Sequence, residues 1–364
     1  MQYTADWEST KKRFGEWWKG QLRQGPLMWI VATRDIPLPG NEPEPPFQSL
    51  EEYFIGPEAR SVRLRNQCRK MIYLADAFPS LTLNIGPGSM STYLGSEPVF
   101  SPQTVWYTEC IHDWADWKGM AYDPENKWWK RHLEVLRQAR DIAGEDYPVD
   151  IPDIIENVDI LSAMLGPQNL LFDLMDHPDV IKAFVERIDD LYFEYYDRIY
   201  EVVKDRSGGC SYTAFRICGP GRTAKVQCDF SAMISPDQFR TFVQPSLQKQ
   251  CARLDATLYH LDGPDAVRHL DALMEIPELS ALQYTPGAGN PPACSKEFDF
   301  IHDRVKAAGK SLWISVGGKD YEAWVQSADR LVQRYGTESL YLLFPVMSET
   351  QAETLLNKAE REWR

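Results

Sequence analysis

The sequence predicts an α/β protein built as a (β/α)8 TIM barrel with an N-terminal Trp-rich helical cap, and three observations carry that expectation. From residue 256 onward, short apolar runs of strand length alternate with amphipathic runs of helix length four times. Consecutive units of this size require parallel pairing through right-handed crossovers. Less regular units of the same kind precede them, which favours a closed barrel over an open doubly wound sheet. Finally, 364 residues of which 43% are hydrophobic can fill one large barrel, so residues 1–364 are read as a single domain.

Taken in order, Trp7, Phe14, Trp17, Trp18 and Leu22 recur at helical spacing, which predicts a cap helix within residues 1–24. Residues 25–33 read as a first buried strand, and the Pro-rich stretch from Pro37 to Pro46 as a loop long enough to act as a lid. A helix is predicted over 50–77 and a strand from Ser80 to Gly88, with Asn84 near the barrel mouth. The segment 97–118 is rich in β-formers, 124–143 is helical, and 147–153 is a strand of mixed character. Helices follow at 169–175 and 178–204, the second with Pro178 at a favourable first position. Residues 210–219 read as one strand. Helix 236–252 then leads into the regular part: strands 256–261, 280–285, 311–316 and 339–345, alternating with helices 265–275, 296–308, 319–335 and 348–361.

Composition excludes several function classes. With 53 acidic against 39 basic residues, the formal charge of −14 repels phosphate backbones and anionic lipid, so neither nucleic acid nor membrane is an expected partner. The N-terminus lacks a signal-peptide pattern and no run of eighteen apolar residues occurs, which predicts a cytoplasmic protein. Seven dispersed cysteines without a Cys-x-x-Cys pair fit reduced thiols. Nine of the twelve tryptophans precede residue 130, as packing of an N-terminal cap would require. No Gly-x-Gly-x-x-Gly follows a strand and no P-loop occurs, so dinucleotide and nucleotide-triphosphate chemistry find no support.

The stretch Ala-Thr-Leu-Tyr-His-Leu-Asp-Gly, 256–263, carries the chemistry. As a strand it sets His260 and Asp262 on one face at its C-terminal end, where barrels build their sites. The alternative is ordinary hydrogen bonding and capping at a strand-helix junction. A metal-assisted or acid/base site would use His260 as ligand or base and Asp262 and Asp229 as ligands or orienting groups, with Arg216, Arg222 or Tyr284 holding a polar small-molecule substrate. For each arginine a structural salt bridge is the competing role, and Cys228 beside an aspartate is more often a packed thiol than a nucleophile. Asp229 and Asp262 are expected to favour the charged form of His260 unless a cation competes for it.

Residues 228–245, Cys-Asp-Phe-Ser-Ala-Met-Ile-Ser-Pro-Asp-Gln-Phe-Arg-Thr-Phe-Val-Gln-Pro, followed by His-Leu-Asp-Gly, resemble the uroporphyrinogen decarboxylase superfamily. Gly-Pro-Leu-Met-Trp, the 78–88 segment and His177-Pro-Asp-Val-Ile-Lys-Ala-Phe extend the likeness over most of the chain. The resemblance implies a (β/α)8 barrel whose members are decarboxylases or zinc-dependent methyltransferases acting with corrinoid proteins or thiols. Of the decarboxylases' arginine motif only Arg34 stands here, and Asn84 takes the place of their catalytic aspartate. The corrinoid-linked branch holds zinc with His-x-Cys-Gly and a later cysteine. Here His260 keeps the histidine, Asp262 replaces the first cysteine, and the later cysteine is absent; the decarboxylases' histidine near the last strand is likewise missing, Leu343-Phe-Pro-Val standing there. That leaves Asp229, Cys228 or Glu156 as candidates for a third ligand to zinc or another divalent metal.

The expectation is therefore methyl transfer from a small methylated substrate to a corrinoid protein or thiol. Asn84 and Glu156 join Tyr284, Arg216 and Arg222 as candidate substrate contacts; the alternatives are a metal-free, cofactor-independent decarboxylase of a small carboxylated substrate and a noncatalytic ligand-binding barrel. The resemblance also implies a homodimer.

Overall fold

The structure is a computed structural model that describes residues 3–4, 6–113 and 119–364. Positions 1, 2 and 5 of the predicted cap and 114–118 of the predicted 97–118 β-rich segment lie outside the described residues. In chain order the strands are β1 (Leu27–Thr33), β2 (Met71–Ala75), β3 (Pro98–Phe100), β4 (Val105–Tyr107), β5 (Cys210–Tyr212), β6 (Ile217–Gly219), β7 (Thr223–Gln227), β8 (Ala256–Asp262), β9 (Ala281–Thr285), β10 (Ser311–Ser315), β11 (Leu340–Leu343) and β12 (Met347–Ser348).

β7, β8, β9, β10, β11 and β1 pair side by side, every pair parallel. Such strands are buried on both faces, which is why β1 and β11 read as continuous apolar runs. Beyond β1 the wall continues through shorter extended segments. Leu81 N donates to Pro148 O at 2.9 Å, Asp150 N to Leu81 O at 3.0 Å and Ile151 N to Ser211 O at 2.9 Å. Cys210 Sγ then accepts from Thr223 N at the foot of β7, closing the circle of the TIM barrel.

The cap helix, Trp7–Trp17, starts at Asp6, whose carboxylate accepts from Ser9 N. It seals the N-terminal end of the barrel. Ser311 Oγ donates to Trp17 O at 2.6 Å, Trp17 Nε1 to Ser339 O at 3.2 Å and Trp18 Nε1 to Cys218 O at 2.8 Å. A buried tryptophan removes about 200 Å² from water, on the order of 5 kcal/mol of gross transfer energy, so the cap is integral to the core. Arg13 ties it to β1: its Nε donates to buried Asp76 Oδ1 at 2.7 Å, while Asp76 Oδ2 accepts from Met28 N at 2.9 Å.

Residues 210–219 form an antiparallel hairpin, where the sequence predicts one wall strand. Its base lies against the cap, and its tip turns into the lumen. Trp313 Nε1 donates to Phe215 O at 2.7 Å and Tyr341 OH to Arg216 O at 2.6 Å. Only the hairpin's first strand, β5, continues the wall, and the next wall strand, β7, is one the sequence expectation passed over.

Two further features have local causes. The helix expected over 50–77 divides into Leu50–Ile55 and Pro57–Lys70 and gives way to β2, because Met71-Ile-Tyr-Leu-Ala pairs antiparallel with β1. The Pro-rich loop read as a lid is anchored to the helix Pro57–Lys70. Glu42 is bridged to Arg65 and Arg69, which hold its carboxyl down at about 2 and pin the loop to the outer helix.

Candidate metal centre at the barrel mouth

Gln227, His260, Gln283, Trp313 and Tyr341 are successive register partners across β7 to β11. Trp313 and Tyr341 meet the hairpin tip, so this face of the sheet is the lumen. Two residues further along β7 and β8, on the same face by the strand period of two, stand Asp229 and Asp262. Donor atoms of Asp229, His260 and Asp262 accordingly lie within 4.8 Å of one another. Gly263 follows at φ +78°, a backbone conformation that L side chains resist, and turns the chain away directly after Asp262.

Neighbouring side chains hold each member in place. Gln283 Oε1 contacts His260 Nδ1, and Gln283 Nε2 donates to Thr285 Oγ1 at 2.9 Å, which fixes the amide with its oxygen toward the ring. Nδ1 is then the protonated nitrogen and Nε2 keeps its lone pair, the arrangement a histidine ligand needs. Phe215 packs on the imidazole with ring centroids 4.8 Å apart. Asp229 Oδ2 accepts from Gln227 Nε2 at 2.9 Å, and Gln227 Oε1 in turn accepts from Lys225 Nζ. Lys225 is fully buried and paired with Asp153 at 2.9 Å. Asp159 accepts from the backbone N–H groups of Asp229 and Phe230 at 2.8 and 2.9 Å, so it shapes the loop that presents Asp229.

The carboxyl groups crowd one another. Burial, together with the Asp229 charge, raises Asp159, and burial raises Asp229 despite Lys225 and His260 nearby. Buried Glu156, accepting from Gln227 N at 2.8 Å, is pushed up to about 8 by desolvation. His260 is lowered, by burial first and then by Lys225, against the pull of Gln283, Asp229 and Asp262. The two aspartates favour the charged imidazole as expected, but burial and Lys225 outweigh them. A neutral imidazole is the metal-binding form.

Asp229, His260 and Asp262 are thus brought together, and the other sequence candidates are placed as follows. Glu156 braces the strand end through Gln227 N. Asn84 Oδ1 accepts from Asp153 N at 2.9 Å and connects to the triad only through Asp153 and Lys225. Cys228 and Tyr284 fall on the opposite strand face: Cys228 is buried with its thiol raised well above the usual range by desolvation, and Tyr284 packs on Phe298. Arg222 lies at the foot of β7 in an ion pair with Asp197. Arg216 stands at the hairpin tip. Lys225, Gln227, Gln283, Asp159 and Phe215 escaped sequence reasoning; polar residues at alternate positions of two otherwise apolar strands, Lys225/Gln227 and Gln283/Thr285, were the available signal.

No helix among the described residues is long and apolar enough to cross a membrane. No protein-family model matches the chain, and no curated protein matches it in sequence. Among solved structures, a methyltransferase from Methanosarcina mazei superposes with a TM-score of 0.60 at 14% identity, covering 97% of this chain and 98% of its own. A B12-independent methionine synthase from Shewanella sp. W3-18-1, in complex with selenomethionine, covers 93% of this chain and 97% of its own at 10% identity, with a TM-score of 0.45. The likeness to the methyltransferase extends over nearly the whole of both chains, and the chain shares its fold: the barrel that the resemblance to the uroporphyrinogen decarboxylase superfamily implied.

Proposed function

We propose that the chain is a metal-assisted methyltransferase that takes a methyl group from a small methylated substrate and delivers it to a corrinoid protein or a thiol. The observation that carries this is the convergence of Asp229, His260 and Asp262 at the lumen end of β7 and β8, with donor atoms within 4.8 Å. One imidazole nitrogen and carboxylate oxygens suit zinc or another divalent ion of harder preference, and no thiol joins the set because Cys228 faces away. A cation held there supplies Lewis acidity to a heteroatom of the substrate or acceptor.

The chain's own residues do the rest. Gln283 and Thr285 orient His260, Gln227 and Asp159 orient Asp229, and the Phe215 ring covers one face of the imidazole. Lys225, the buried cation beneath the carboxylates, limits their mutual repulsion while the site is empty of substrate. The fold shared with a methyltransferase supports the reaction class.

The test is methyl transfer from a panel of O-, N- and S-methylated small molecules to reduced cobalamin or to a thiol. Transfer is expected with metal-loaded protein and is lost on chelation and in His260→Ala. Transfer that persists undiminished in His260→Ala overturns the proposal.

A further inference from the structure

Across the mouth from the triad lies a cavity of about 540 Å³, bounded by β1 and β2 on one side, the ends of β10 and β11 on another, and the hairpin tip. Its walls mix aromatic and aliphatic side chains, Trp29, Tyr73, Phe78 and Phe344 prominent, with the polar Gln67, Ser80 and Ser315, and Arg216 is the one charged residue lining it. Many of the arginines, Arg13, Arg65, Arg222 and Arg330 among them, meet an Asp or Glu carboxylate. Arg216 makes no such ion pair among the described residues; its guanidinium carbon lies 5.6 Å from the centre of the Trp29 ring. The backbone beneath it is unusual as well. Arg216 has φ +55°, a region non-glycine residues seldom occupy, and the carbonyls of Phe215 and Arg216 are held by Trp313 and Tyr341.

Arg216, in a sparse backbone conformation, flanked by two tethered carbonyls and exposed while lining an otherwise uncharged cavity, is placed to receive an anion. A guanidinium recognises carboxylate through paired N–H···O bonds. The cavity volume suits a small organic molecule. The preceding residue, with its Cα about 3.8 Å away, carries the ring packed on His260, so cavity and triad flank the same hairpin tip.

We propose that Arg216 is the anion anchor of the substrate site. The substrate class is a small molecule with a carboxylate at one end and an apolar or aromatic body, the carboxylate on Arg216 and the body against Trp29 and Phe344. This deepens the methyl-transfer proposal and rests on it for which end of the molecule reacts; the anchor itself does not require the metal.

The experiment titrates monocarboxylates from butanoate to octanoate, and their uncharged amides, into the full-length chain by NMR or calorimetry. Wild type is expected to prefer each carboxylate over its amide by about tenfold or more, since hydrogen bonds to a charged group are worth that much. Arg216→Gln is expected to erase the preference, Arg216→Lys to keep part of it, and His260→Ala to keep all of it. Arg216→Asn, which tolerates the left-handed backbone, replaces the Gln variant if that one fails to fold. No carboxylate preference in wild type overturns the anchor, as does an undiminished preference in Arg216→Gln. Loss of the preference in His260→Ala also overturns it, because the anion would then sit on the triad. If the preference follows Arg216 while no metal binds, the anchor stands and the metal reading falls.

Discussion

Removing the His260 imidazole separates a metal ligand from a structural strand residue. A cation that binds only the folded chain stabilises it by RT ln(1 + [M]/Kd), about 2.7 kcal/mol when free metal is at 100 times Kd. Unfolding entropy near ~2.1 cal/mol/K per residue gives about 0.76 kcal/mol per degree for 364 residues. The metal-dependent rise in Tm should therefore be about 3.5 °C. Zn²⁺, Mn²⁺ and Co²⁺ are each titrated against chelated protein in a thermal melt, with bound metal counted in parallel. In His260→Ala one of three donors is gone, and the rise should fall below about 1 °C with the fold retained, because the lost ring faces a polar mouth. Gln283→Leu keeps all three donors but frees the ring, and loss of such an orienting partner costs about 10- to 100-fold in affinity. At the same metal concentration its rise should lie at about 0.5–2 °C. A wild-type melt unmoved by all three ions, or an unchanged rise and metal content in His260→Ala, refutes the metal site. A lowered Tm in that variant with metal retained would make His260 scaffold.

Buried His302 is depressed to about 4 by desolvation, against an unfolded value near 6.5. A lowered folded pKa contributes stability that is complete above pH 6.5 and lost as pH falls through about 4, here about 3 kcal/mol. The stability difference between wild type and His302→Gln in urea unfolding should move by that amount, against wild type, between pH 7 and pH 4; a pH-independent difference sinks the assignment. Arg13→Ala leaves the Asp76 carboxylate buried with only Met28 N as its partner, which should cost about 3 kcal/mol and lower Tm by about 4 °C. A loss under 1 kcal/mol would show the cap to be held by its tryptophans alone.

His260 and Asp262 were legible because one strand carries both, and the period of two puts them on one face whatever the strand's neighbours are. Asp229 was legible only as an acid at the start of a loop. Its partner Gln227 and the supporting Gln283 acquire meaning from the register between β7, β8 and β9, which one chain's pattern does not contain. Tyr284 and Cys228 show the same limit at single-residue scale: each lies one position from a lumen-facing residue and so points to the other side of the sheet. The hairpin at 210–219 reads as a strand because Thr213-Ala-Phe-Arg216 contains no Gly, Pro or Asn, and its positive φ falls on an arginine. β7 was passed over for the opposite reason, since Lys225 and Gln227 make a buried strand look polar.

That polarity bears on what the lumen can hold. A barrel interior is ordinarily filled by layers of branched apolar side chains, yet here Gln227, His260 and Gln283 share a layer with Trp313 and Tyr341, Lys225 lies one level below, and Asp153, Glu156, Asp159, Asp229 and Asp262 surround them. Hydrogen bonds satisfy the amides, so the unresolved quantity is charge. Glu156, at about 8, is mostly protonated at neutral pH, and His260 is neutral by burial. The acidic side chains around this partly desolvated well outnumber its single lysine, and they repel one another. Protons relieve this in part, as the raised Asp159 and Asp229 indicate. A divalent cation offsets more of this repulsion than a monovalent one, with the three donors that can converge on it already oriented. A divalent ion should therefore compete with those protons: its binding should release protons and tighten as pH rises through the range where Asp159 and Asp229 ionise. Metal affinity that is flat from pH 5 to pH 8, by titration in a weakly buffered cell that also counts released protons, would place the ion elsewhere.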